Sequence, residues 1–141
     1  MLGPSQTLVE VSFGDCDPAG IVFYPNFFAW MDRAFHDYLR PLGGHAKVCS
    51  ELGAVGIGVI KAEAQFRRPV RDGDALRMAC EVREWGPKSL TLEHTGTVGD
   101  EIVLRGIEQR GVFCRSDNGM FAAQTAQLRQ MVETFDLQQR A

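Results

Sequence analysis

The feature that most constrains the fold is a change of hydrophobic period at about residue 25. From about Pro25 to Leu39, apolar side chains recur at helical spacing and form one broad stripe, made of Phe27, Trp30, Met31, Ala34, Phe35, Tyr38 and Leu39. Pro25 suits the first turn of a helix, where its missing N–H costs nothing, and Pro41 with Gly43 ends the pattern. So wide an aromatic stripe predicts a long helix that is largely buried.

On both sides of this helix the sequence alternates with the two-residue period of β-strands. Before it, the segment Thr7 to Phe13 predicts a strand with Val9, Val11 and Phe13 on one face. After it, further strands are predicted at about Val55–Phe66, Leu76–Arg83, Leu90–Val98 and Ile102–Cys114. Gly106 shifts the alternation of the last strand, which predicts a bulge.

The order of these elements is typical of an α+β domain, because antiparallel strands joined by short turns can pack around one buried helix. A short C-terminal helix is also predicted, from about Leu128 to Phe135. A chain of 141 residues is long enough for one core. We therefore expect a single domain over residues 1–141.

Charge and hydropathy exclude several classes of protein. The formal net charge is −3, and Lys and Arg are scattered apart from Arg67-Arg68, which argues against a nucleic-acid partner. No apolar run approaches the roughly 18 residues of a membrane span. The first residues lack the basic and apolar regions of a signal peptide. The sequence therefore predicts a cytoplasmic protein with no membrane partner.

The cysteines and histidines predict neither a metal site nor a disulfide. The chain contains Cys16, Cys49, Cys80 and Cys114, and none has the CxxC spacing of a zinc site or redox pair. The histidines are dispersed at His36, His45 and His94. We expect free thiols, as in other cytoplasmic proteins, and no metal or redox cofactor.

The candidate chemistry lies in the loop before the helix. Asp15 and Asp17 flank Cys16, and the sequence Asp17-Pro18-Ala19-Gly20 predicts a turn directly before an apolar segment. Asp17 has two interpretations. Its carboxylate can hydrogen-bond its own turn, as turn aspartates often do, or it can act as a catalytic acid or base against an apolar wall. Cys16 is a poor nucleophile, because two neighbouring carboxylates disfavour its thiolate.

The run from Phe13 to Asp32 resembles the 4-hydroxybenzoyl-CoA thioesterase family of the hotdog-fold superfamily. The resemblance continues through Phe66-Arg67-Arg68-Pro69-Val70, Asp72-Gly73-Asp74, and Glu84-Trp85 with Lys88-Ser89. It implies a hotdog fold, in which a curved antiparallel sheet wraps around one long helix. It also implies an acyl-CoA thioesterase, an enzyme that hydrolyses a short and plausibly aromatic acyl-CoA such as a 4-hydroxybenzoyl thioester.

The resemblance implies a role for two groups near the helix start. Asp17 matches the catalytic carboxylate of the family, and can act as general base or as nucleophile. Asp15 remains a rival. The backbone N–H of Tyr24 matches the donor to the thioester carbonyl, at a helix start that favours an oxyanion. Many related thioesterases have a histidine at the position of Pro25, whereas Pro25 itself matches the hydroxybenzoyl branch.

Other positions are candidates for substrate binding. Lys88 and Ser89 can bind coenzyme A phosphate, although the Gly86-Pro87 turn before them lacks the basic run of the hydroxybenzoyl enzyme. Arg67, Arg68 or Arg71 can compensate or be solvated. Asp32 matches a position near the substrate ring, or is a charge on the exposed side of the helix. Trp30 lines an aromatic pocket with Phe23, Phe27 and Phe35, or these rings fill the core.

Two alternatives share the fold. One is an acyl-carrier-protein thioesterase, which the neutral turn and net negative charge disfavour. The other is a non-catalytic acyl-CoA-binding module, which would not need Asp17. The small-molecule partner is an acyl-CoA, and hotdog proteins of this kind form homodimers or homotetramers. We expect a site at a subunit interface, with Asp17 facing the neighbouring segment from Val55 to Ile60.

Overall fold

The computed structural model describes residues 5–140, and their strands form a single antiparallel sheet. The strands are β1 (Ser5–Glu10), β2 (Gly56–Phe66), β3 (Ala75–Trp85), β4 (Leu90–Val98), β5 (Glu101–Ser116) and β6 (Gly119–Ala123). Their order across the sheet is β1-β3-β4-β5-β2, and β6 pairs with the end of β5. β1 and β2 are therefore the two edges.

The long helix α1 spans Pro25–Leu39, as the hydrophobic stripe predicts. Its apolar face is buried against the curled sheet, which is the predicted α+β architecture. At Gly106 of β5 the helix comes so close that a Cβ atom would lie 2.6 Å from the Met31 Cε. The bulge predicted at Gly106 is wrong, because the pairing with both neighbouring strands continues through this residue without a shift. The glycine is a point of close packing.

The first strand is shorter than predicted. β1 ends at Glu10, and residues 13–15 form a short 3-10 turn. Val9 and Val11 are buried as predicted, but Phe13 is 80 % exposed, so its expected place on the buried face is wrong. The N–H of Val11 donates to the carbonyl of Asp74 at 2.9 Å, which ties the start of this loop to the segment before β3.

The structure adds two elements that the periodicity did not predict. They are a short helix α2 (His45–Leu52) and the strand β6, which forms a hairpin with β5. The C-terminal helix α3 spans Ala126–Arg140 and is longer than predicted. Over residues 5–140, no helix combines the length and apolar character that crossing a membrane would require.

Candidate active site

Asp17 lies in a small hairpin formed by the loop between β1 and α1. Cys16 and Val22 pair as an isolated antiparallel bridge, and the N–H of Asp17 donates to the carbonyl of Ile21 at 2.9 Å. The Oδ1 of Asp17 accepts the N–H of Ala19 at 2.9 Å. The local turn therefore uses one carboxylate oxygen, and within residues 5–140 no hydrogen bond or ion pair engages Oδ2.

The side chain and the carbonyl of Asp15 are both hydrogen-bonded within the same loop and to the start of α1. Its Oδ2 accepts the N–H of Ser12 at 2.9 Å, in a reciprocal cap of the 3-10 turn. Its carbonyl accepts the N–H of Phe23 at 2.9 Å and the side-chain amide of Asn26, also at 2.9 Å. Asp15 therefore has a structural function that Asp17 lacks, because it joins the hairpin to the first turn of α1.

The N–H of Tyr24 is an open donor at the start of α1. Tyr24 is the residue before the first helical position, which Pro25 occupies. The N–H groups of Asn26 and Phe27 donate back to the carbonyls of Phe23 and Tyr24. Within the described part of the chain, by contrast, the N–H of Tyr24 has no acceptor. An unpaired donor at a helix N-terminus favours a negative oxygen.

A groove of about 410 Å³ opens beside this donor. We call it the Tyr24 groove, and its walls include Tyr24, Phe27, Phe66, Arg67, Arg68 and Val70. The Phe66 ring packs on Phe27, with ring centroids 5.4 Å apart, and on Tyr24, with ring centroids 6.1 Å apart. The groove thus has an apolar aromatic floor with two arginines at its rim, which suits an acyl thioester attached to an anionic carrier.

A second groove, of about 370 Å³, lies farther along α1. We call it the Asp32 groove, and its walls include Asp32, His36, Val55, Val59, Arg110 and Phe113. Asp32 is half exposed; its Oδ1 accepts a hydrogen bond from Arg110 at 2.8 Å, and its Oδ2 lies 3.5 Å from the Nε2 of His36. Asp32 is therefore a charge on the exposed side of the helix, as one of its two interpretations predicts, and a buried arginine also holds it.

Behind the Asp32 groove lies a buried polar network that the sequence analysis missed. Arg110 is 2 % exposed, and its Nη2 and Nε bond to both carboxylate oxygens of Glu108 at 3.0 and 3.2 Å. The Nε2 of His94 bonds to Glu108 Oε1 at 2.8 Å. Burial alone would raise the pKa of Glu108, but the hydrogen bond from His94 and the charge of Arg110 outweigh it and lower this pKa below its ordinary value.

A signal for this network was present in the sequence. In β5, Glu108 and Arg110 occupy alternate positions in line with Leu104, Gly106 and Val112, all on the buried face. Charged residues on the apolar face of a strand are rarely buried unless they are paired. A search for polar residues in phase with the apolar pattern would have found them.

The remaining predicted binding residues lie apart from Asp17. Trp30 packs edge-on against Phe27, with ring centroids 5.4 Å apart, and is only partly buried. Lys88 is exposed and Ser89 accepts a hydrogen bond from Gln109, both in the turn between β3 and β4. That turn follows the far end of β3 from the Asp17 loop, and the 11 residues of β3 span roughly 35 Å. One chain therefore does not bring Lys88 to Asp17.

No group of three His, Cys, Asp or Glu side chains within residues 5–140 is arranged to hold a metal ion. The cysteines of this region are free thiols, as expected. Cys49 is buried beside His45, and burial raises the pKa of its thiol. His45 accepts the N–H of Ile57 at 3.1 Å, and burial lowers its pKa, with His36 and Arg110 adding to the effect. His45 therefore stabilises the start of β2 as a neutral ring.

The chain is similar in sequence to known thioesterases. Residues 19–104 match the family model of the thioesterase superfamily. The 4-hydroxybenzoyl-CoA thioesterase of Pseudomonas sp. strain CBS-3 is 35 % identical over 77 % of this chain and 81 % of its own length. A 1,4-dihydroxy-2-naphthoyl-CoA hydrolase of Synechococcus sp. strain CC9311 is 30 % identical over 70 % of this chain and 69 % of its own.

The fold also has solved relatives. One is a crystal structure of a 4-hydroxybenzoyl-CoA thioesterase in complex with 4-hydroxybenzoyl-CoA, in a variant with one aspartate changed to asparagine. It superposes with a TM-score of 0.81 at 27 % identity, and the match covers 92 % of this chain and 98 % of that one. The hotdog fold expected from the loop motif is confirmed. The chain belongs to the thioesterase superfamily and is a thioester hydrolase.

Proposed function

We propose that the protein hydrolyses the coenzyme A thioester of a small hydroxylated aromatic acid. The observation that carries this proposal is that one short loop holds the Asp17 carboxylate, with its Oδ2 unbonded, and ends at the unpaired N–H of Tyr24. The groove that Tyr24 lines has the aromatic wall that such an acyl group needs. The relatives named above act on hydroxybenzoyl and dihydroxynaphthoyl thioesters, both of which are hydroxylated aromatic acyl groups.

In the proposed reaction, the thioester carbonyl accepts a hydrogen bond from the N–H of Tyr24. The positive end of the α1 dipole stabilises the negative charge that develops on this oxygen. Asp17 takes a proton from a water molecule, and the resulting hydroxide adds to the carbonyl carbon. The tetrahedral intermediate then collapses, the C–S bond breaks, and coenzyme A leaves as the thiolate, which takes up a proton. No resident metal or redox cofactor is needed in this scheme.

Direct attack by Asp17 is the other form of the same proposal. The carboxylate would add to the carbonyl, expel the thiolate and leave a mixed anhydride that water then hydrolyses. Both forms require one carboxylate oxygen that is free of structural bonds. Among the described residues the Oδ2 of Asp17 meets this requirement, and so does the Oδ1 of Asp15, since both bonds to that carboxylate engage Oδ2. We propose Asp17 rather than Asp15 because Asp17 matches the catalytic carboxylate of the family that the loop resembles.

A complete site requires a second chain in this proposal. β2 is an 11-residue edge strand with exposed apolar side chains at Val59, Ile60 and Phe66, and such an edge favours pairing with another strand. The Tyr24 groove contains Phe66 at one end of β2, and the Asp32 groove contains Val59 toward the other. Antiparallel pairing of two β2 edges would therefore place the Tyr24 groove of one subunit against the Asp32 groove of its partner.

This arrangement also suggests which cationic side chains bind the phosphates of coenzyme A. Arg67 and Arg68 line the same groove as Tyr24, so they are cations that the same chain offers to the coenzyme A phosphates. Lys88 and Ser89 can reach this coenzyme A only from a neighbouring subunit, because they follow the far end of β3. We propose that they do so in a homodimer or a homotetramer.

The experiment that tests the proposed function is a panel of thioesters assayed for release of free thiol. It contains 4-hydroxybenzoyl-CoA, benzoyl-CoA, acetyl-CoA, a long-chain acyl-CoA and an acyl-carrier-protein thioester. We expect the highest kcat/KM with 4-hydroxybenzoyl-CoA. A preference for the carrier-protein thioester would contradict the coenzyme A assignment, and binding without release from any member would indicate a non-catalytic module.

A mixing experiment tests the shared site. Asp17→Asn chains lack the acid, and Val59→Trp chains have a blocked Asp32 groove. Each homo-oligomer should be nearly inactive. In a mixed dimer, the Asp17 of the second chain faces the intact Asp32 groove of the first, so we expect about half of the dimers in an equal mixture to regain one site. No recovery, or an active monomer at assay concentration in sedimentation, would refute the shared site.

A further inference from the structure

Arg110 makes more side-chain hydrogen bonds than any other residue in positions 5–140, and the proposed chemistry does not use it. Its three nitrogens bond to four oxygens: Nε and Nη2 to the two of Glu108, Nη1 to the carbonyl of Ile57 at 3.2 Å, and Nη2 also to Asp32. The guanidinium carbon lies 4.2 Å from the centre of the Phe35 ring. It is held on several sides, so its direction toward Asp32 is fixed.

The far side of this guanidinium is anchored in the core. Glu108 is 3 % exposed and is itself held by His94, which is fully buried. His94, Glu108 and Arg110 are therefore all buried and hydrogen-bonded to one another in sequence, and only Asp32, at the end of this network, reaches the surface. Side-chain positions that rest on a packed supporting shell are the precise ones in a binding site.

We propose that Arg110 is a positioning residue that fixes Asp32 as the acceptor for a hydroxyl group on the acyl part of the substrate. The Oδ1 of Asp32 is occupied by Arg110, whereas Oδ2 lies 3.5 Å from His36 and borders the Asp32 groove. Oδ2 has only this longer contact with His36 among the described residues, so it is the oxygen that a ligand in the groove can reach. This inference rests on the proposed function, because it assigns selectivity within the same site.

Lysine cannot replace arginine here. A guanidinium presents its donors in a rigid planar fork, while lysine has one nitrogen on a flexible stem. One ammonium cannot reach Glu108, the Ile57 carbonyl and Asp32 together with the geometry seen for Arg110. Arg110→Lys therefore keeps the charge but releases Asp32 from its fixed position.

The test compares 4-hydroxybenzoyl-CoA with benzoyl-CoA, which differ only in the hydroxyl. The measured quantity is the ratio of their kcat/KM values in the same enzyme preparation. A hydrogen bond to a charged group is worth about 1.5–3 kcal/mol, so we expect Asp32→Asn and Arg110→Lys each to lower the ratio about tenfold to a hundredfold. The double variant should lower it no further than Asp32→Asn alone, because Arg110 acts through Asp32.

Arg105→Lys is the matched control. Arg105 lies on the same strand, and it pairs with Glu93 at 3.0 Å and lines a separate cavity with Arg83. Its replacement should leave the ratio unchanged. If Arg110→Lys is not folded at the assay temperature, Glu108→Gln is measured instead, because it loosens the same guanidinium while keeping the side-chain volume.

The outcomes separate the inference from the proposed function. If the wild type releases no thiol from either ester, the proposed function fails and the inference fails with it. If the wild type is active but Arg110→Lys (or Glu108→Gln in its place) slows both esters equally, Arg110 only supports the fold and the inference is wrong. Additive losses in the double variant would also overturn it.

Discussion

Replacement of Asp17 by asparagine should remove catalysis and leave the fold intact. In the wild type, Oδ1 of Asp17 accepts the N–H of Ala19 at 2.9 Å, and an amide oxygen can accept the same bond. The side chains have similar volumes, and within residues 5–140 no ion pair of Asp17 is lost. The melting temperature should therefore change by less than about 3 °C, which is roughly 1 kcal/mol for a chain of this length.

The rate should fall far more than the stability. An amide cannot take a proton from water at neutral pH, and it is not an anionic nucleophile. Loss of a positioned acid–base group costs about 10²–10⁴ in rate, or about 2.7–5.5 kcal/mol of transition-state stabilisation. We expect this loss in kcat with little change in KM, because the Tyr24 groove that binds the acyl group is unaltered.

The assay is release of coenzyme A thiol at saturating 4-hydroxybenzoyl-CoA, with melting temperatures measured on the same samples. Asp15→Asn is the matched control, since it removes a carboxylate from the same loop. The carboxylate of Asp15 accepts the N–H of Ser12, and an amide oxygen can accept the same bond, so Asp15→Asn should keep both the melting temperature and kcat close to the wild-type values. If Asp17→Asn retains kcat within about threefold of the wild type while Asp15→Asn loses it, the assignment of Asp17 is refuted.

Three further predictions concern binding, pH and packing. Lys88→Ala should raise KM for coenzyme A thioesters more than it lowers kcat, and it should have no effect on a truncated thioester that lacks the nucleotide. The control Lys47→Ala should change neither KM nor kcat. Equal losses with both substrates would show that Lys88 acts through structure. The pKa of Glu108 is lowered in the folded state, so the ionised carboxylate contributes fully to stability above about pH 4.5, the ordinary pKa of the group, and this contribution is lost as the pH falls through the folded-state pKa. The melting temperature of the wild type should therefore fall more steeply below about pH 4.5 than that of Glu108→Gln. Parallel curves of melting temperature against pH would contradict this role of Glu108. Gly106→Ala places a Cβ 2.6 Å from Met31 Cε and should lower the melting temperature by about 3–10 °C, from about 1–3 kcal/mol of overpacking; the loss should largely disappear in a Met31→Ala background.

The sequence predicts those parts of the fold that have a strong local period. The bounds of α1 match because fifteen residues share one stripe and Pro25 marks the start. α2 has only eight residues, of which Val48 and Cys49 are buried. Its apolar stripe is therefore too short to be recognised from the sequence. β6 has five residues and is mostly exposed, with Met120 and Phe121 about half accessible, so it shows no alternation.

The candidate site shows the same difference between local features and features that depend on distant residues. Asp17 and Tyr24 can be proposed from the sequence because the whole motif is contiguous in the chain. The ion pair between Asp32 and Arg110 joins residues 78 positions apart, and no local pattern encodes such a contact. The separation of Lys88 from Asp17 depends on the order of the strands in the sheet, which periodicity does not give. The sequence therefore yields candidates where the residues are close together in the chain, and it does not show which distant residues converge.

The buried network has an energetic consequence for its function. Replacing a buried ion pair by apolar residues of similar volume is often neutral or stabilising, because the desolvation of two charges offsets their attraction. The residues in line with Glu108 and Arg110 on β5 (Leu104, Gly106 and Val112) are apolar, and His94 is the polar neighbour that bonds to Glu108. A set of uncharged apolar side chains at positions 94, 108 and 110 would therefore be expected to fold at least as well. Stability alone therefore does not account for these charges. A fixed carboxylate at the mouth of the Asp32 groove does, because Asp32 can keep one direction only if its partner is rigid. A concerted replacement of His94, Glu108 and Arg110 by apolar residues would then leave stability unchanged or higher and abolish discrimination between hydroxylated and plain acyl groups, which is the opposite of what a purely structural ion pair would show.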